Sequence, residues 1–234
     1  MTGHDDVLVR CEGVARTFGS GPAAVVAVHG VTAQIRAGQH LALTGPSGSG
    51  KSTLLHLLGG LDDPTAGTVS WPALGRRRDL RPGPVAVIFQ GPSLLAPLDV
   101  VENVALPLVL AGAPPAQATA SAMVALDRLG LASLVAKLPE ELSGGQAQRV
   151  AVARAMVGRP RLVLADEPTG QLDHATAATV IDALLEVTAG LGAGLVVTTH
   201  DPLVAHRLSE QWAMADGRLL GSSPAPDGSA TCSA

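Results

Sequence analysis

The chain has 234 residues, enough for one large domain or two small ones, and its 47% hydrophobic content is ample for a core. A net charge of −4 gives no electrostatic case for nucleic-acid binding, and no uninterrupted apolar run approaches the ~18 residues of a membrane-spanning helix. The apolar residues are mostly Ala, Val and Leu, with 2% aromatics and no Tyr, a composition of buried parallel strands and Ala-rich helices. The stretch Met1–Asp6 lacks the basic and apolar regions of a signal peptide. Cys11 and Cys232 neither make a disulfide framework nor pair with histidines at zinc-like spacing. A reduced, cytoplasmic, soluble protein is expected.

Residues 7–43 carry short β-like segments, Val7–Arg10, Ala23–Val28 and Val31–Ile35, separated by turn residues such as Gly19-Ser20-Gly21-Pro22 and Ala37-Gly38. Phe18 stands just before a glycine-rich turn. It either anchors the core beneath the first strands or offers a ring on which a base stacks.

The stretch Gln39–Thr44 reads as a short buried strand, and Ser52–Leu58 as a helix. Between them lies Gly45-Pro46-Ser47-Gly48-Ser49-Gly50-Lys51-Ser52, followed by Thr53, which fits the phosphate-binding pattern G-x-x-x-x-G-K-[ST]. Such a loop turns sharply while aiming its backbone N–H groups at an anion, which glycines permit, and the following helix N-terminus adds partial positive charge. The chain uses 14 Arg and only two Lys, Lys51 and Lys137. Position 51 nevertheless carries the compact ammonium that reaches terminal phosphates where a planar guanidinium fits badly. The chain is therefore expected to bind a nucleoside triphosphate.

The run Gly59–Gly67 stops the loop helix, and Val69–Trp71 reads as a short strand. Residues 72–84 form a Pro/Gly/Arg loop whose Arg76-Arg77-Arg78 run reads as a solvated turn. The segment Pro84–Phe89 reads as a buried strand ending on Gln90. Residues 91–140 change to helical patterns with Pro breaks, Val100–Leu110 and Ala116–Leu129, the latter with Met123, Leu126 and Leu129 on one face. This is the pattern of a helical insertion in an α/β core.

The sequence Leu142-Ser143-Gly144-Gly145-Gln146 opens a helix through Val157, with Ser143 and Gln146 at capping-box spacing. It is either only a capped helix or a second anion site, since two glycines let a phosphate approach the backbone. Strand Arg161–Ala165 ends in Asp166-Glu167-Pro168, where open α/β sheets bind ligands. Asp166 suits a Mg²⁺ shell opposite the loop hydroxyl, leaving Glu167 to orient or deprotonate water. A helix over Ala175–Thr188 leads to strand Leu195–Thr199, and His200 ends it beside the same site. A closing hairpin is expected at Gln211–Met214 and Arg218–Leu220, and a disordered tail over 222–234.

The loop, Gln90, Leu142-Ser143-Gly144-Gly145-Gln146, Asp166-Glu167, Asp173 and His200 follow one another in the order of the ATP-binding-cassette ATPases, which the chain resembles over residues 7–221. The resemblance implies an α/β fold: a P-loop NTPase core (1–90 and 159–221) with an N-terminal antiparallel β subdomain and an inserted α-helical subdomain (91–158). It implies that two cassettes sandwich two ATP molecules, as a homodimer or a paired cassette. Each loop, from Gly45 to Thr53, then faces Ser143-Gly144-Gly145-Gln146 of the other copy. In that arrangement Phe18 stacks on adenine, Ser52, Gln90 and Asp166 hold Mg²⁺, Glu167 activates water, His200 contacts the γ-phosphate and Asp173 lies at the dimer seam. The resemblance also implies a separate membrane permease, with the chain peripheral on the inner face of the membrane.

Within the family, Leu57-Leu58-Gly59-Gly60-Leu61-Asp62 and Glu102–Leu108 resemble the macrolide-exporter and lipoprotein-releasing group. Phe18 replaces the commoner Tyr, Gln171 stands where that group usually has Asn, and the stretch between Trp71 and Val85 is short. The apolar, Pro-interrupted residues Gly91–Leu98 are where the family docks its permease, so Leu94 and Leu98 are expected at that contact. Non-transport cassettes are the alternative, in repair, translation or mechanotransmission at the membrane. The repair type needs long insertions between loop and signature, and the translation type a second cassette. A GTPase is excluded because Asn103, the sole Asn, begins no N-K-x-D.

Overall fold

The computed structural model describes residues 6–224. In chain order the strands are β1 (Val7–Phe18), β2 (Val25–Arg36), β3 (His40–Thr44), β4 (Ala66–Ser70), β5 (Val85–Ile88), β6 (Leu162–Asp166), β7 (Gly194–Thr199), β8 (Glu210–Ala215) and β9 (Arg218–Pro224). The α-helices are α1 (Lys51–Leu58), α2 (Val100–Leu110), α3 (Pro115–Arg128), α4 (Gly144–Met156), α5 (His174–Leu191) and α6 (Pro202–Ala205).

Three strands form an antiparallel sheet in the order β2-β1-β4, and six form a second sheet in the order β5-β6-β7-β3-β8-β9. The second is parallel from β5 to β8, with β9 added antiparallel at its edge. The three short N-terminal segments expected from sequence are two twelve-residue strands. Pairing of β1 with β2 shifts register four times along its length. Each shift breaks the two-residue alternation that marks a strand in sequence. Strand β9 likewise continues to Pro224, so residues 222–224 belong to the sheet rather than to a tail; residues 225–234 lie outside the described region.

The parallel strands read as unbroken apolar runs because both faces of the sheet are covered. Leu41, Leu43, Leu162, Leu164 and Val196 point toward α1 and the antiparallel sheet. Their neighbours Ala42, Val163, Ala165, Leu195 and Val197 point the other way, onto Val152 and Met156 of α4, Val180, Ile181 and Leu184 of α5, and Val204 of α6. All ten strand side chains are buried. Burial contributes about 1.5–3 kcal/mol for each large aliphatic side chain of this central layer.

A third cluster joins α2, α3 and α4 through Val100, Val104, Ala118, Ala122, Leu126, Val150 and Ala153. The buried face of α3 is thus Ala118, Ala122 and Leu126, at i, i+4, i+8, and Met123 is exposed, contrary to expectation. Small alanines let α3 approach α2 closely, and a reading weighted toward large apolar residues misses that face. Helix α2 opens on a capping box of Asp99 and Glu102. Asn103 is wholly buried, and its amide donates to the carbonyls of Leu95, Leu98 and Asp99 while its oxygen accepts from the Leu95 N–H. That one side chain fixes the Pro-rich segment before α2.

Candidate functional site

Strand β3 delivers the chain into the loop Gly45–Gly50, and α1 begins at Lys51 with Gly50 as N-cap in the left-handed region (φ 96°). A Cβ at Gly50 would run into the Ala27 carbonyl oxygen, and one at Gly45 into that of Met214. The glycines are therefore required by the seat of the loop on β2 and β8 as well as by an approaching anion. Lys51 is only 5% exposed; its ammonium donates to the carbonyls of Gly45 (2.9 Å) and Pro46 (3.0 Å) and lies 3.8 Å from Glu167 Oε1. The loop closes on its own lysine.

One cleft gathers Ser47, Gly48, Gly50, Lys51, Ser52 and Thr53 with Gln90, Asp166 and Glu167. The last three stand at or just past the C-terminal ends of β5 and β6, where parallel sheets open toward ligands. The Ser52 hydroxyl donates to Asp166 Oδ1 at 2.9 Å. The same oxygen accepts the Thr198 hydroxyl at 2.6 Å, and Thr198 Oγ1 accepts the Glu167 N–H at 2.9 Å. Glu167 occupies the left-handed region (φ 43°), unusual for a residue with a side chain. Its Oε2 lies 3.3 Å from His200 Nδ1, and His200 is mostly exposed just past the end of β7. Glu167 thus faces a lysine on one side and a histidine on the other.

The remaining expected site residues lie apart from this cleft. Phe18 is 43% exposed at the end of β1, not a core anchor, and the Arg16 guanidinium stacks over its ring at 4.7 Å from the centroid. Arg16 is itself held by Asp62 at 2.8 Å. Ser143 caps α4 as expected: its Oγ accepts from Gln146 N–H, and its own N–H donates to Gln146 Oε1. None of Ser143, Gly144, Gly145 and Gln146 lines the loop cleft, and Ser143 and Gly144 face solvent. Asp173 caps α5, and the Thr176 hydroxyl and amide hold its carboxyl below the ordinary range.

Three residues of the site region escaped the sequence reading. Thr198 is concealed in an apolar strand, Asn103 in an apolar helix, and Arg154 in an Ala/Val helix. Arg154, on α4, donates to the carbonyls of Pro92 (3.2 Å) and Ser93 (2.9 Å) and to the Ser93 hydroxyl (3.1 Å), tying the segment after Gln90 to the capped helix. The available signal for each was a polar side chain beside or within an apolar stretch. Phe89 departs in the opposite sense: it is exposed beyond the end of β5, its ring edge-on to His56.

Residues 28–170 match the family described as ABC transporter. The chain belongs to that family. The cassette is 40% identical over 222 residues to the lipoprotein-releasing system ATP-binding protein LolD of Legionella pneumophila (strain Paris), covering 92% of this chain and 98% of that one. To the protein of the same name from Shewanella sp. (strain MR-4) it is 41% identical over 221 residues, covering 92% and 96%. Among solved structures it superposes with a TM-score of 0.84 on the dimeric, post-hydrolysis ATP-binding cassette MJ0796 bound to ADP and Pi, at 31% identity and 94% and 99% coverage. CbiO1 of Clostridium perfringens, part of the ABC transporter complex CbiONQ, gives 0.83 at 27% identity, covering 94% of this cassette and 89% of that chain. The cassette is accordingly the ATP-binding subunit of an ABC transporter and an ATPase. No helix among its described residues is long and apolar enough to cross a membrane.

Proposed function

We propose that the cassette works as a pair of identical chains that trap two MgATP and drive a separate permease of the lipoprotein-releasing type. One observation carries the reading: phosphate loop, Lys51, Ser52, Gln90, Asp166 and Glu167 share one cleft while the capped N-terminus of α4 stands outside it. A capped helix start with two glycines is an anion site that its own cleft does not use. A second copy supplies the anion, and each cleft is complete only when the partner's Ser143–Gln146 closes over it.

The donor set of the cleft fits a hard divalent cation, since Ser52, Gln90 and Asp166 offer only oxygen ligands beside the place for phosphates. When bound there, Mg²⁺ neutralises charge on the phosphates. Arriving phosphates compete with the Gly45 and Pro46 carbonyls for the Lys51 ammonium. The Glu167 carboxylate then accepts the proton of an attacking water, His200 contacts the terminal phosphate, and Phe18, braced by Arg16, stacks on adenine. Asp173 and its α5 cap stand at the seam between copies. The chain lies against the membrane face that presents the permease.

Ser143→Asp tests the sandwich. Aspartate is as good an N-cap as serine, so the monomer is expected to keep its melting temperature and its ATP affinity. The added carboxylate meets the partner's phosphate, and hydrolysis is expected to fall about 100-fold, with ATP-driven dimerisation lost. Wild-type turnover by this variant would refute the trans arrangement.

The permease contact is carried by exposed apolar residues near Gln90. Phe89 precedes Gln90 and is exposed with its ring edge-on to His56, and Leu95 is 45% exposed in the segment that Asn103 holds. Leu94 and Leu98, expected there from sequence, are partly buried, and Leu94 packs onto the helical cluster. Leu95 is therefore the residue to change. Leu95→Asp is expected to leave stability and ATP affinity as they are and to abolish co-purification with the membrane partner. A stable variant that still captures the permease would remove this segment from the contact.

A further inference from the structure

We infer that Thr198 is a positioning residue that sets both carboxylates of the ATPase site through its single hydroxyl. The inference rests on the reading of Asp166 and Glu167 given above. Strand β7 is Gly-Leu-Val-Val-Thr-Thr, buried throughout, and Thr198 has no exposure at all. Burying a hydroxyl is unfavourable unless its hydrogen bonds are replaced. Here they are replaced twice, and both partners belong to the site.

Thr198 pairs in register with Asp166 across β6 and β7. Its hydroxyl proton goes to Asp166 Oδ1 (2.6 Å) and its oxygen accepts the Glu167 N–H (2.9 Å). That N–H is shared with the Thr198 carbonyl at 3.2 Å. One residue therefore restrains rotation of the Asp166 carboxylate and holds the left-handed turn at Glu167, which aims its side chain toward Lys51 and His200. Among the described residues, the only other hydrogen bond to the Asp166 carboxylate comes from Ser52. Ser52 faces the nucleotide, so with its oxygen turned to a cation Thr198 remains the fixed donor on Oδ1. A hydrogen bond to an ionised acceptor is stronger than a neutral one, and a short one orients the carboxylate as well as stabilising it.

Thr198→Val keeps the branched shape and deletes only the hydroxyl, whereas Thr198→Ser keeps the hydroxyl. For the valine variant we expect kcat to fall about ten-fold or more with little change in KM for ATP. Mn²⁺ bound with ATP, read by electron paramagnetic resonance, is expected to lose affinity about ten-fold. Melting temperature is expected to hold, and Thr198→Ser to restore both readings. Wild-type turnover and Mn²⁺ affinity in Thr198→Val would overturn the inference. So would equal defects in Val and Ser variants, which would make the effect one of packing. Glu167→Gln, measured alongside, separates the two levels. If it turns over normally, the carboxylate reading fails; if it is inactive while Thr198→Val is normal, only the role of Thr198 fails.

Discussion

Lys51→Ala is expected to weaken ATP binding by at least about 100-fold, because it removes the buried ammonium of the loop cleft. Lys51→Arg is expected to fail as well, although it keeps the charge. The Lys51 ammonium fits between two loop carbonyls, with Glu167 beyond. A planar guanidinium is wider than this gap and meets phosphate as a fork rather than as a point charge. Titration of both variants with a fluorescent ATP analogue decides the matter, with melting temperatures as the control. Near-normal affinity in both would show that the loop does not hold phosphates.

The second large effect concerns Glu167. Glu167→Gln keeps the size and hydrogen-bonding reach of the side chain and removes its basicity. Turnover is expected to fall by about 10²–10⁴-fold while MgATP still binds. The substitution also removes a carboxylate 3.8 Å from Lys51, which frees the ammonium for phosphate. Binding without hydrolysis lets the sandwich accumulate, so ATP is expected to convert the variant from monomer to dimer by size-exclusion chromatography. Hydrolysis at the wild-type rate would exclude Glu167 as the base.

The phosphate loop, Gln90, Asp166-Glu167 and His200 were legible because each is a polar residue at the end of an apolar strand, and a parallel sheet brings such ends together. The strand–loop–helix order and the helical insertion were legible for the same local reason. Properties set by tertiary packing were not. Breaks in the β1–β2 ladder erased the alternation that would have shown two long strands. In the buried stripe of α3 only Leu126 was legible, because Ala118 and Ala122 carry little hydrophobic signal. Thr198, Asn103 and Arg154 each bond across large distances in sequence or into irregular backbone. No spacing rule connects Arg154 to Pro92, although the contact joins the two halves of the site region.

Helix α4 has a further consequence for the inserted region. Val150 and Ala153 belong to the helical cluster, while Val152 and Met156 on the same helix belong to the core beneath the sheet. Residues 91–158 are therefore not a detachable module. A chimera that exchanges this span with a related cassette imports one wall of the recipient's own core, and a mismatch at 152 or 156 leaves a void against Val163 or Ala165. Such grafts are expected to succeed only when the donor matches these two side chains in volume, or when the crossover is placed before Gly144 so that the recipient keeps its own α4.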